Sequence, residues 1–224
     1  MQSEHSEMVM VISRLVLGKP VQKFMNEVAT TCRRHGVEKY LGKGKQVLYR
    51  DLLCLGYFDD MHHKPPRLAV ATGRPLSEWL PIFVHEFEHT MQWIERAPAW
   101  TNQVMSPTSY ALDLLGEWFA GREMNNEEVA RLIRLAREVE RDCEERTVRA
   151  IAEYQLPIDS VKYAKQANAY VFSYTAMKET QGWYVRSPRD VPEILELMPK
   201  QILQEGAYEK LPAGYVDALQ KHCF

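Results

Sequence analysis

Apolar residues recur along most of this chain at spacings of three and four, the period of a helix with one buried face. Met8 to Leu17 reads as a short helix closed by Gly18, and Val21 to Arg34 as a second closed by Gly36, each glycine standing where a left-handed cap is wanted. Gln46 to Tyr49 and Arg67 to Thr72 (RLAVAT) read as strands, the second bounded by Pro65-Pro66 and by Gly73. A helix is expected from about Ser77, another from Ser109 to Glu123, and a long one from about Glu127 to Tyr154, capped by Asn125 or Asn126 and ended by Pro157. Ser160 to Lys178 continues as a helix apolar on most faces, after which Pro188, Pro192, Pro199 and Pro212 cut the tail into short pieces. With no repeat, linker or low-complexity tract, the pattern predicts a single domain over residues 1–224, of α+β class, mainly helical with a small sheet.

Composition narrows the partners. Of 224 residues, 46% are hydrophobic and 26% charged, the balance of a globular protein with a core. A net charge of −2 argues against nucleic-acid binding through bulk basicity, and the charged stretch RLIRLAREVERDCEERTVR alternates Arg with Glu as a solvated helix does. No apolar run approaches the roughly 20 residues of a membrane span, and MQSEHSE lacks the basic start of an export signal. Cys32, Cys54, Cys143 and Cys223 form no CxxC pair, so neither a disulfide framework nor a thiolate zinc site is suggested, and a cytoplasmic setting is the expectation.

The chemistry-bearing stretch is FVHEFEHTMQW, residues 83–93. Two histidines four apart lie one above the other on a helix, so both imidazoles can reach one tetrahedral ion. With 7 His in 224 residues, HExxH arises by chance in about two of every hundred such chains, so the motif favours function. Val84, Phe87, Met91 and Ile94 make an apolar stripe on one side, with His85 and His89 on the other near Ile82 and Trp93, so the helix is expected to be buried on both sides. The bland alternative is a pair of core histidines bonded to backbone or to Glu88 and Gln92. Zinc needs a third ligand, and TMQWIERAPAW lacks the metzincin extension. In the long helix, Val129, Leu132, Ala136, Val139, Cys143 and Thr147 mark the buried face; Glu140 falls within it, Glu144 at its edge, and Glu138 and Glu145 opposite. Glu140 is the first candidate ligand and Glu144 the second, with a salt bridge to an arginine as the alternative role; Glu117 in LLGEWFAGRE ranks third.

HEFEH followed by an acidic helix resembles the gluzincin type of zinc metallopeptidase, in which two His and a Glu of a later helix bind zinc. ERDCEER stands where that family carries an NExxSD-like signature. More loosely, HEFEHTMQW, EVERDCEERTV and AKQANAYVFSY resemble a group of small tailed-bacteriophage proteins with metallopeptidase-like motifs, which implies a cytoplasmic protein made during infection. The resemblance implies a zincin-like fold, one Zn2+ per chain on His85, His89 and Glu140 or Glu144, and a peptide or protein substrate. Glu86 would be the general base for water attacking the peptide carbonyl. The competing function is that of a phage interaction protein whose metal is structural or absent.

Secondary features are weighed beside this. Tyr163, Tyr170 and Tyr174 share a helix face with Met177, and one could steady an oxyanion, although tyrosines so spaced are more often core. RLAVAT is either an edge strand that pairs with an extended peptide or a structural strand. Asp59, Asp60, His62 and His63 in YFDDMHHKPP read as a solvated loop before Pro-Pro rather than as a metal site.

Overall fold

The computed structural model describes residues 18–224; the helix expected over Met8 to Leu17 lies outside them. Helix accounts for 58% of the described residues, with a small mixed sheet, which bears out the α+β class and its helical weighting. By backbone contacts the chain divides into two compact units, one running to Thr90 and resumed at Arg149–Ile158, the other formed by Met91–Val148 and Asp159–Phe224.

The first unit opens with α1 (Lys19–His35), ended by Gly36 at φ 67°, where the Val37 amide turns back to the carbonyl of Cys32 at 2.8 Å. Five strands follow: β1 (Glu38–Gly42), β2 (Val47–Tyr49), β3 (Leu52–Cys54), β4 (Gly56–Asp59) and β5 (Arg67–Ala71). Their order is β1-β5-β4 in one sheet, β1 parallel and β4 antiparallel to β5, while β2 and β3 form a separate hairpin. RLAVAT is therefore the central strand of its sheet and not an edge, so its backbone is committed to two neighbours. The expected strands are both present, and β1, β3 and β4 join them as elements too short and irregular in pattern to stand out.

Alternation sorts β4 and β5 into two faces. Tyr57, Ala69 and Ala71 cluster with Val47 of the hairpin, with Tyr49 and Cys54 packed alongside. The other side carries Gly56 against α2 (Leu76–Ile94), where a Cβ would come within 2.9 Å of Ile82 Cγ2. Phe24 of α1 meets Phe83 and Phe87 of α2 edge to face at 5.9 and 5.7 Å, and Tyr154 at 5.2 Å.

The second unit holds α3 (Pro98–Asn102), a short β6–β7 pairing (Val104–Ser106, Ser109–Tyr110), α4 (Ala111–Phe119), the greater part of α5 (Asn126–Glu153) and α6 (Ser160–Thr180). Its tail consists of two 3-10 turns (Pro188–Asp190, Glu205–Glu209), α7 (Pro192–Glu196) and α8 (Tyr215–Cys223). Asn125 caps α5 by accepting the Glu128 amide at 2.8 Å, and Asp159 caps α6 through the amides of Val161 and Lys162. The helix expected from Ser109 to Glu123 is shorter, because Ser109 and Tyr110 pair as strand and the helix ends at Phe119. One core packs α4, α5 and α6 through Leu115, Leu132, Ile133, Ala136, Tyr174 and Met177. A second packs α6 on the proline-divided tail through Phe172, Ile194, Tyr208, Tyr215 and Leu219. No described helix is long and apolar enough to cross a membrane.

Candidate functional site

Of the apolar stripe read from the sequence of the motif helix, Val84 and Phe87 are buried, with Phe83 beside them, while Met91 and Ile94 are partly buried. His85 is half-buried and His89 is 8% exposed, their rings edge to face with centroids 4.7 Å apart and planes at 87°. This is the i, i+4 juxtaposition that the spacing predicts. Gln92 continues the same helix face one turn on, is fully buried, and donates from Nε2 to the Val139 carbonyl at 2.9 Å and to Asp142 Oδ2 at 2.8 Å, both on α5. The last turn of α2, within the second unit, is thus anchored to α5.

Glu86 turns toward the sheet. Gly56, the first residue of β4, owes its identity to this approach, because a Cβ there would stand 3.0 Å from Glu86 Cγ and 3.0 Å from the Ala69 carbonyl oxygen. Cys54, the last residue of β3, has its thiol pushed up to about 12, first by burial and then by the charge of Glu86. The general-base candidate therefore sits where the hairpin passes into β4.

On α5 the two carboxylate candidates lie one turn apart in different surroundings. Glu144 is fully buried, whereas Glu140 is half-buried, the reverse of the order that helical phase suggested. Tyr163 donates its hydroxyl to Glu144 Oε2 at 2.6 Å, and the Arg189 guanidinium bonds Oε1. Arg189 in turn lies over the Tyr170 ring, 4.2 Å from its centroid. Burial first, and the charge of Glu144 next, hold the Tyr163 hydroxyl well above the usual tyrosine value. Glu140 faces a cluster of tyrosines: burial and then its charge raise Tyr170 and Tyr174, whose hydroxyls bond each other at 2.8 Å. The tyrosine face of α6 is thus core, engaged with these two carboxylates.

Glu117 is exposed and ion-paired to Arg122. The YFDD stretch departs from the expected loop: its first residues are β4, and Asp59 is fully buried, with Oδ1 accepting the amides of Met61 and His62 at 2.9 and 3.0 Å. Sequence reasoning set Cys143 aside with the other cysteines, although it lies on the same buried stripe that phased the helix and is fully buried. Arg189 lay in a tail with no periodicity, so only folding reveals it as a partner of Glu144. No protein-family model, no curated protein and no solved structure matches this chain, so the reading of the site rests on its own residues.

Proposed function

We infer that the chain is a zinc-dependent hydrolase with a zincin-like fold, acting on peptide bonds, in which His85 and His89 are metal ligands and Glu86 is the general base. The observation that carries this reading is the pair of imidazoles 4.7 Å apart on α2, with Glu86 between them in sequence. Two imidazoles one turn apart on a helix can offer a ring nitrogen each to one tetrahedral ion.

The donor chemistry suits zinc. Imidazole nitrogen is a preferred zinc donor, and the i, i+4 pair supplies two of them. The third ligand expected from the sequence is a carboxylate of α5; Tyr163 and Arg189 already hold Glu144, which favours Glu140, and elemental analysis of variants compares both with Cys143. Three protein ligands leave one position open, as catalytic sites do. Bound zinc would supply a Lewis acid for the substrate carbonyl and would make water acidic near neutral pH. Glu86 accepts the proton of the attacking water and passes it to the leaving amine. Its neighbour Cys54 stays a neutral thiol and does not compete for that proton. No disulfide joins the four cysteines, all among the described residues, which suits the reducing cytoplasmic setting of this reading.

Elemental analysis of the purified protein tests the reading, comparing wild type with His85→Ala, Cys143→Ser, Glu140→Gln, Glu144→Gln and Glu86→Gln. About one zinc per chain is expected, lost in His85→Ala and in one of Cys143→Ser, Glu140→Gln and Glu144→Gln, and kept in Glu86→Gln, which loses peptidase activity. The variant of those three that loses zinc identifies the third ligand. A wild type that takes up no metal overturns the hydrolase and leaves an interaction protein.

A further inference from the structure

The two faces of the small sheet meet different neighbours. One carries Gly56 and lies against α2 and Glu86, while Tyr57, Ala69 and Ala71 on the other are covered by Val47, Tyr49 and Cys54 of the β2–β3 hairpin. The outward side of the hairpin is therefore turned away from Glu86, and there a solvated hairpin carries polar residues. Leu48 and Leu53 stand there instead, paired across the strands at 62% and 64% exposure. Tyr40 of β1, 51% exposed, belongs to the hairpin-covered face through its register with Ala69. A Cβ at Gly42 would meet both its ring and Val47, which places Tyr40 beside the hairpin. Leu52 pairs with Tyr49 on the inward side, yet beside the turn it stays 70% exposed.

Charge surrounds these side chains unevenly. Residues 38–75 hold seven Lys or Arg against four Asp or Glu, a balance of +3 within a chain of net −2. Lys43, Lys45 and Arg50 are exposed and close in sequence to Leu48, with Asp51 as their acidic neighbour. Of the other carboxylates, Glu38 is paired to Arg67 and Asp59 is held by backbone amides.

This combination discriminates among partners. A stable protein interface takes roughly 20 to 30 residues a side, far more than three leucines and a tyrosine. Single-stranded nucleic acid uses cations and aromatic rings, and aliphatic leucines add nothing to it. An anionic bilayer surface uses both features, its headgroups attracting lysine and arginine and its acyl boundary taking up leucine.

We propose that the outward face of the β2–β3 hairpin is a docking surface for an anionic phospholipid bilayer. Leu48 and Leu53 enter the boundary between headgroups and acyl chains, Lys43, Lys45 and Arg50 meet the headgroups, and Tyr40 lies at the interface. Docking on this face leaves the α2 side of the sheet, with Glu86, turned away from the lipid.

Vesicle co-sedimentation of the full chain tests this, with vesicles of phosphatidylcholine alone and of phosphatidylcholine mixed equally with phosphatidylserine, at low and high salt. The parent protein should sediment with the phosphatidylserine vesicles, less so as salt rises, and bind phosphatidylcholine poorly. Leu48→Ser with Leu53→Ser should bind about tenfold more weakly at either salt, and Lys43→Glu with Lys45→Glu about tenfold more weakly at low salt. Circular dichroism checks that each variant keeps its fold, and Leu48→Ala with Leu53→Ala replaces the serine pair if that pair fails to fold. Gel filtration, and polarisation of a fluorescein-labelled oligodeoxythymidine, read the competing occupants. A parent that ignores phosphatidylserine vesicles, or binds them equally with and without the leucines, overturns the assignment. Leucine-dependent self-association without vesicle binding gives the face to a second copy of the chain, and lysine-dependent, leucine-independent binding of the oligonucleotide gives it to nucleic acid; either result overturns the bilayer.

Discussion

Replacing Arg189 by Met isolates the interaction that dominates the interior of the second unit. Glu144 is fully buried, with Oε1 bonded by Arg189 and Oε2 by Tyr163 at 2.6 Å. Methionine preserves much of the side-chain volume and removes the charge, so Glu144 keeps the tyrosine and loses its cation. Breaking a buried pair from one side costs about 3 to 5 kcal/mol, because an uncompensated charge remains. The Arg189 side chain is 24% exposed, which lets water take part of its place and sets the expectation at the lower end, about 3 kcal/mol. The loss of the cation over Tyr170, at 4.2 Å, adds about 0.5 to 1 kcal/mol. Urea unfolding followed by tryptophan fluorescence measures the change, and Glu144→Gln combined with Arg189→Met supplies the control. A neutral amide needs no cation, so the double variant should recover about 2 kcal/mol relative to the sum of the single ones. A deficit below 1 kcal/mol, or an equal deficit whether residue 144 is Glu or Gln, would refute the claim that Arg189 offsets the charge of Glu144.

Other consequences are open to direct measurement. Glu86→Gln removes the second cause that raises the Cys54 thiol, so alkylation of Cys54 by iodoacetamide at mildly alkaline pH, followed by peptide mass spectrometry, should speed up; an unchanged rate would separate Glu86 from the hairpin. Gly56→Ala sets a methyl 2.9 to 3.0 Å from Ile82 Cγ2, Glu86 Cγ and the Ala69 carbonyl, so about 1 to 3 kcal/mol of stability should be lost, and a neutral result in urea would show that β4 and α2 are not in such contact. Tyr163, Tyr170, Tyr174 and Tyr215 are all held well above the usual tyrosine value, chiefly by burial, so the fold retains protons that the unfolded chain releases near pH 10. Stability is therefore intact below about pH 10 and falls above it, and the phenolate absorbance of these residues should appear together with unfolding; a smooth titration in the folded protein would contradict their burial.

What could be read ahead of folding was whatever repeats with a period. Long helices carry many turns of evidence, so α2 began, and α5 and α6 both began and ended, within a few residues of expectation, with Asn125 and Asp159 capping as such residues do. Strands β1, β3 and β4 offer three to five residues each, too few for alternation to register, and β4 is further masked by the polar Asp-Asp-Met-His-His run that follows it. The same contrast governs the site. His85 and His89 meet within one helix, where four residues of spacing decide the geometry, and the rings come together as expected. The setting of Glu144 depends on Arg189, a residue 45 positions away that arrives on a 3-10 turn between prolines. Helical phase alone set Glu140 deeper than Glu144, because phase reports where a side chain leaves its own helix and not what the rest of the chain lays over it. The proline-divided tail does that work in the second unit, its Arg189 sealing Glu144 while Tyr208 and Tyr215 pack against Phe172 of α6. Side-chain pairs on one helix are thus legible in a single sequence, and carboxylates whose environment is supplied by irregular chain are not.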